Sequence, residues 1–271
     1  TPKQLTVSTD DRPADPHWQI YLSSFFSAHQ QDLEQLMAQT AKDIQWVDTI
    51  ADANLIIDQA SGLGDEAYQL RVDKQKIRIG ANTYSGMVYA IQSLVQIDVA
   101  AQIGSNRLPI VDIEDAPRFA YRGFLLDISR NFYGLDKIKQ VVDLMSIYKL
   151  NHLDLKLTDD EGWRLEIPGL PELTEVGAKR GYTKDEQDRL IPMYGSGADG
   201  GETGNGFLSQ QDFIDLLQYA RVRNVTVIPQ ISFPSHARAA VVSMEARRQR
   251  FLAAGNEAAA EEFALMDPED K

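Results

Sequence analysis

Along the first 117 residues the apolar positions switch between a period of two and a period near 3.6, the marks of alternating strands and helices. Leu5 to Ser8 reads as a short strand. Beyond Pro13 and Pro16, the spacing of Leu22, Phe25, Phe26, Leu33, Leu36 and Met37 predicts a helix over Tyr21 to Gln39. Asn54 to Asp58 is a compact apolar run, and Ala67 to Asp73 alternates like a half-buried strand. Lys76 to Gly80 follows across a hairpin-like turn at Asp73. The helical period returns from Thr83 to Val95, where Gly86 permits close packing. These elements predict a small α+β domain over residues 1–117.

From Phe124 the rhythm becomes strand, helix, strand: Phe124 to Ile128, Leu135 to Tyr148, Leu150 to Leu157. A Gly/Pro-rich insertion, Pro168 to Gly206, separates these from a helix over Phe213 to Arg223 with Ser209 as its N-cap, and from a buried strand, Val225 to Ile231. Met244 to Ala264 reads as helix, followed by a tail at Asp267 and Pro268. Repeated βα units imply a parallel sheet, and a (β/α)8 barrel is its closed form. Three strand units fill about 120 residues where a closed barrel takes roughly 250, so residues 118–271 are expected to be the first part of a barrel, cut before its fourth strand. The fold class expected is α/β, a partial (β/α)8 TIM barrel preceded by the α+β domain.

Composition narrows the function. With 40 acidic against 27 basic residues the chain carries a net charge of -13 and shows no basic stripe, which argues against nucleic acid and anionic membranes as partners. No apolar run is long enough to span a bilayer. Cysteine is absent, and the four histidines are scattered with no i,i+4 pair, so neither a thiolate nor a His-built metal site is expected, and no cofactor is implied. The sequence opens at Thr1 with neither a methionine nor an apolar signal segment, as a processed or trimmed chain does.

In parallel α/β folds the site lies at the carboxyl ends of the strands. The three predicted strand ends offer Asp127, Arg130 and Asn131; Asp154, Lys156, Asp159, Asp160, Glu161 and Trp163; and Gln230, Ser232, Ser235 and His236. An arginine fork beside carboxylates suits vicinal sugar hydroxyls, and an indole suits a pyranose face. Each residue also has a structural reading. Arg130 reads equally as an ion-pair partner of Asp127 or Asp160, Trp163 as a cap on the barrel core, His236 as a satisfied loop histidine, and the run 159–161 as a solvated turn.

Taken together, three segments strongly resemble successive signatures of family 20 glycoside hydrolases: RGFLLDISR (122–130), LTDDEGWRLEI (157–167) and VIPQISFPSHA (227–237). PGLPELTEVG (168–177) and AAVVSMEAR (239–247) look like the bacterial chitobiase branch. EAYQL (66–70), 86–92 and DIEDAPRF (112–119) are similar to the small domain that precedes the barrel in that family. The resemblance implies a β-N-acetylhexosaminidase that acts on N-acetylglucosamine-containing oligosaccharides such as chitobiose, in a periplasmic or secreted setting. It implies substrate binding by Arg130, with Asp160 and His236 in the supporting hydrogen-bond shell. The family's reaction is substrate-assisted and retaining, with an Asp-Glu pair on the fourth strand. No His-x-Gly-Gly-Asp-Glu run is present, so no catalytic residue is assigned and this stretch alone is expected to be inactive.

Departures from the family pattern leave a second reading open, a non-catalytic carbohydrate-binding or scaffold module with a degenerate site; the third is a folded domain without a ligand. Asp154 and Lys156 stand where the family has histidines, Gln230 and Ser232 where it has Glu and Asp, and Asn131 where it has His. Asp154 and Lys156 are expected to pair with each other as an i,i+2 couple. Gly181 and Arg189 stand where similar chitobiases carry a cysteine pair, so the insertion is expected to be the more mobile. An unfinished barrel leaves strand edges open, which predicts self-association.

Overall fold

The computed structural model describes residues 2–38, 40 and 42–265. The tail at Asp267 and Pro268, and the last residue of the helix expected to reach Gln39, lie outside them. The chain divides into two compact units: residues up to 122 with Asp143–Asn151 and Arg221–Val225, and Gly123–Val142 with His152–Ala220 and the residues from 226 on.

The first unit carries β1 (Gln4–Pro13), β2 (His17–Leu22), a 3-10 turn (Ser24–His29), α1 (Gln30–Met37), β3 (Asp43–Trp46), β4 (Leu55–Gln59), β5 (Tyr68–Val72), β6 (Ile77–Ala81), α2 (Tyr84–Ile103) and β7 (Arg107–Asp115). Its strands form one mixed sheet in the order β1-β7-β5-β6-β4-β2-β3. The expected helix from Tyr21 is corrected. Tyr21 and Leu22 end a strand whose Trp18 and Ile20 are fully buried, and helix begins only at Gln30 after the 3-10 turn. In β2 a two-residue alternation beats the helical spacing, because parallel pairing with both β3 and β4 fixes it in the sheet. The hairpin between β5 and β6 is as read: Asp73 accepts from the N–H groups of Gln75 and Lys76 at 2.7 and 2.8 Å. The side chain of Thr83 accepts from Gly86 N at 3.3 Å and caps α2. A Cβ at Gly86 would stand 2.3 Å from Ala67 O, so only glycine lets α2 lie this close to the sheet.

The second unit is built on β8 (Gly123–Asp127), β9 (His152–Lys156) and β12 (Thr226–Gln230), all parallel, in the spatial order β12-β9-β8. The intervening elements are α3 (Gly134–Ile147), a two-stranded ribbon of β10 (Thr158–Asp159) and β11 (Gly162–Trp163), α4 (Glu172–Glu175), α5 (Gly201–Gly204) and α6 (Gln210–Val222). After β12 come α7 (Arg238–Ala253) and α8 (Glu257–Glu261), two helices where one was expected; Gly255, with φ at 74°, lies between them. Ser209 caps α6 reciprocally: its hydroxyl accepts from Asp212 N at 3.1 Å, and its own N–H donates to Asp212 Oδ2 at 2.9 Å.

Strand parity sorts the side chains. Leu153, Leu155 and Leu157 are fully buried, whereas Leu125, Asp154 and Ile228 share one register row and Asp127, Lys156 and Gln230 the next. The insertion has a small core of its own, in which Val176 and Leu190 pack with Ala239, Val242 and Ala246 of α7 and with Trp163. Where the resemblance places a cysteine pair there is a backbone tie: Gly181 N donates to Leu190 O at 3.0 Å and Leu190 N to Lys179 O at 2.9 Å.

Candidate active site

The carboxyl ends of β8, β9 and β12 converge on Asp159. It lies just beyond β9, in the first strand of the β10–β11 ribbon, where Thr158 and Asp159 are both buried and the Asp159 side chain is wholly shielded from solvent. A carboxylate removed from water in this way requires compensation by cations and hydrogen bonds. Three side chains supply it, one from each strand end. Arg130 Nη2 lies 2.9 Å from Asp159 Oδ2, the Lys156 ammonium pairs with the same oxygen, and His236 Nδ1 lies 3.2 Å from Oδ1.

The residues predicted to bind substrate are therefore brought together. His236 Nδ1 is 3.1 Å from Asp160 Oδ2, and Arg238 N donates to Asp160 Oδ1 at 3.1 Å. His236 sits at φ 56°, a left-handed conformation uncommon for a side-chain-bearing residue and held here by the contacts of its ring with the two aspartates. Arg130 faces Asp127, Asp159 and Glu161, the last at 3.6 Å. Of its two expected structural partners, Asp127 holds and Asp160 does not. Arg130 keeps a third of its side chain exposed within this ring of carboxylates.

One further expectation changes. Lys156 does not pair with Asp154 along the strand; it reaches forward to Asp159, and Asp154 Oδ1 is left buried without a hydrogen bond. Trp163 donates from Nε1 to Leu165 O at 2.6 Å and packs on the core of the insertion, a structural role. At the third strand end Ser232 is turned to Thr158, with Oγ donating to Thr158 O at 3.1 Å, while Gln230 Oε1 is buried without a partner. Asn131 accepts from the Thr203 hydroxyl at 3.0 Å.

The electrostatics follow from these contacts. Burial alone would raise the Asp159 carboxyl, but the Lys156 ammonium, the Asp160 N–H and Glu161 outweigh it and hold it below its ordinary value. Asp127 is likewise held low against burial, by the Ser129 hydroxyl and by Arg130. Glu161 goes the other way: burial raises it, and the hydrogen bond and charge of Asp159 add to that. Two neighbouring carboxylates do not both ionise freely, which is why Asp159 and Glu161 shift in opposite directions. The pattern is a polar mouth in which Arg130, partly exposed, is stiffened by the carboxylates around it.

Asp159, Asp160 and His236 also offer three ligand atoms within 4.8 Å of one another, a set able to hold a metal ion. The cationic groups of Arg130 and Lys156 already neutralise Asp159, the buried member of the three. Sequence reading treated the 159–161 run as one cluster and missed that Asp159 is its hub; no alternation marks it, because Thr158 and Asp159 are both buried.

Comparison with known proteins covers both units. Residues 119–268 match the model of the glycosyl hydrolase family 20 catalytic domain, and residues 1–116 match domain 2 of the same family. The N,N'-diacetylchitobiase of Vibrio harveyi is 50% identical over 204 residues, which are 75% of this chain and 23% of that protein. The β-hexosaminidase B of Pseudoalteromonas piscicida is 38% identical over 275 residues, covering 100% of this chain and 34% of the relative. The chain thus spans about a quarter to a third of the length of these two curated relatives. Among solved structures, the family 20 exo-β-N-acetylglucosaminidase of Vibrio harveyi in complex with N-acetylglucosamine matches with a TM-score of 0.78 at 30% identity, over 90% of this chain and 37% of that one. The Streptomyces plicatus N-acetyl-β-hexosaminidase matches with a TM-score of 0.72 at 26% identity, over 89% of this chain and 47% of that one.

Proposed function

The chain belongs to glycosyl hydrolase family 20, and from that premise we propose that it forms the sugar-gripping part of a β-N-acetylhexosaminidase of chitobiase type. The observation that carries this reading is the buried Asp159 carboxylate. It ties Arg130, Lys156 and His236, from three different strand ends, to one point and leaves Arg130 partly open to a ligand. Each nitrogen of the Arg130 guanidinium faces a carboxylate, Nη1 Asp127, Nη2 Asp159 and Nε Glu161, and the N–H groups these leave on its exposed third are suited to neighbouring hydroxyls of a terminal N-acetylglucosamine. Asp160 and His236 line the same mouth and hold each other in place. These residues bind and orient; they move no proton to the leaving group. In substrate-assisted catalysis the 2-acetamido oxygen attacks the anomeric carbon while a carboxylic acid protonates the leaving oxygen. Those steps need the Asp-Glu pair of a fourth strand, which this sequence does not contain.

The test uses a parent chain extended through that strand. It should hydrolyse a chromogenic N-acetylglucosaminide, and Arg130→Ala should lower kcat/KM about a hundredfold, the scale for truncating one member of a hydrogen-bonded charge pair. A parent that binds the sugar without turnover sinks the enzyme reading. It would support the second reading, a non-catalytic carbohydrate-binding module, which is favoured by Lys156 already neutralising Asp159 and by Ser232 being turned away to Thr158.

We also propose that this chain self-associates by itself. Among the described residues β8 and β12 each pair with β9 alone, and Leu125 is 55% exposed on the open sheet. Light scattering should show species larger than one chain at micromolar concentration, and a stable monomer would contradict this.

A further inference from the structure

Behind the mouth lie two buried arginines that the sugar-binding reading does not use. Arg164 is fully buried and its five N–H groups make five hydrogen bonds, all to main-chain carbonyls: Nε and Nη2 donate to Ser129 O, Nη1 to Ala178 O and Gly206 O, and Nη2 also to Gly204 O. A Cβ at Gly162 would stand 2.6 Å from this guanidinium, so a glycine is required there. Arg180 is 1% exposed, yet its Nε and Nη1 have no hydrogen-bond partner. Its Nε and Nη2 pack near Gly204, whose carbonyl accepts from Arg164. Neither arginine is ion-paired to a carboxylate among the described residues.

Two like charges out of water side by side are costly, and a guanidinium does not relieve the cost by losing its proton at neutral pH. The carboxylates whose charge reaches them are committed elsewhere. Asp127, which acts on Arg164, is paired with Arg130, and Glu161, which acts on Arg180, faces Arg130 at 3.6 Å. A water molecule would satisfy an N–H of Arg180 and leave the charge uncompensated. A small anion would do both.

We propose that Arg180 anchors a buried binding site for one monovalent, halide-sized anion within the insertion, with Arg164 supplying the second positive charge. The size limit is part of the proposal: with Arg180 1% exposed and packed near Gly204, an ion larger than about a water molecule, such as a phosphate or a sugar acid, is not expected to fit. Such an ion would fasten the 168–206 insertion from inside. The inference stands on these two arginines and holds whether or not the mouth binds a sugar.

The experiment replaces gluconate with chloride at fixed ionic strength and follows the melting of the full chain. A saturable rise in Tm is expected in chloride, reproduced by bromide and lost in Arg180→Met. Equal Tm values in chloride and gluconate would overturn the proposal, as would a chloride effect that persists in Arg180→Met. Should that variant not fold, anomalous diffraction from bromide-soaked crystals of the unaltered chain decides: a peak within hydrogen-bonding reach of Arg180 Nε and Nη1 supports the site, and its absence refutes it.

Discussion

Arg122 and Arg130 open and close the same sequence signature, eight residues apart, and do opposite work. In the first unit Arg122 is closed in. It donates to both Glu66 oxygens, at 3.1 and 2.7 Å, to Tyr89 Oη at 2.6 Å, and to the main-chain oxygens of Phe119, Ala120 and Lys149. Asn151 Nδ2 and Asn224 Nδ2 complete that network on Glu66 and Tyr89. In the second unit Arg130 has three carboxylates around it and remains a third exposed. A saturated, closed-in arginine holds a fold together, whereas one that is ion-paired yet keeps a third of its side chain exposed can also meet a ligand. Sequence similarity alone marks both equally.

The contrast breaks if the wrong arginine controls binding. Glu66→Ala leaves Arg122 part-buried and unpaired and should lower stability by about 3 kcal/mol, the scale for breaking a buried pair, with sugar binding intact at temperatures where the chain is folded; urea unfolding and titration with N-acetylglucosamine measure the two effects. Arg130→Ala should shift the weight to binding, weakening it about a hundredfold while lowering stability by about 1–2 kcal/mol, because Lys156 and His236 still meet the buried Asp159 carboxylate. Arg130→Lys keeps the charge and loses the planar fork, so about a tenfold weakening is expected by the same titration. Were Lys fully equivalent, charge alone would suffice and the fork geometry would be irrelevant.

The smallest effect concerns Glu161. Its carboxyl is raised above the ordinary 4.5, so its contribution to stability is full below that value and is lost as pH rises through the folded-state value. Asp127 and Asp159 are lowered from 3.8, so theirs is present above 3.8 and is lost as pH falls through the folded values. Glu161→Gln keeps a hydrogen-bond donor toward Asp159 and should change stability by under about 1 kcal/mol at neutral pH. It should also flatten the decline in Tm above pH 4.5 while leaving the acid limb in place; an unchanged pH profile would show that Glu161 carries no proton of consequence.

Much of this was readable from the chain. The βαβ rhythm from Phe124, the Ser209 cap, the hairpin at Asp73 and the close approach at Gly86 all follow from local rules that tertiary packing does not override. The strand at β2 was hidden because Leu22, Phe25 and Phe26 mimic a helical face, and only the sheet neighbours decide against it. Strands β3 and β7 carried too weak a signal: four residues in one, Pro109 and scattered acids in the other. At the site, Arg130 and the Asp160–His236 contact were legible as strand-end residues, but the partner of Lys156 was not. Pairing along one strand and pairing forward into a turn look alike in sequence, and the buried charge of Asp159 settles it. The free edge of Arg180 had no local signature at all.

Asp159 gathers three strand ends, and on the proposed function Arg130 there meets an amino-sugar ring. Saturation-transfer NMR of this chain with N-acetylglucosamine tests it most directly. Transfer to the N-acetyl methyl and ring protons is predicted for the unaltered chain, and its loss in Arg130→Ala with the fold retained. Transfer of equal strength in Arg130→Ala, or none in the unaltered chain, would contradict the account.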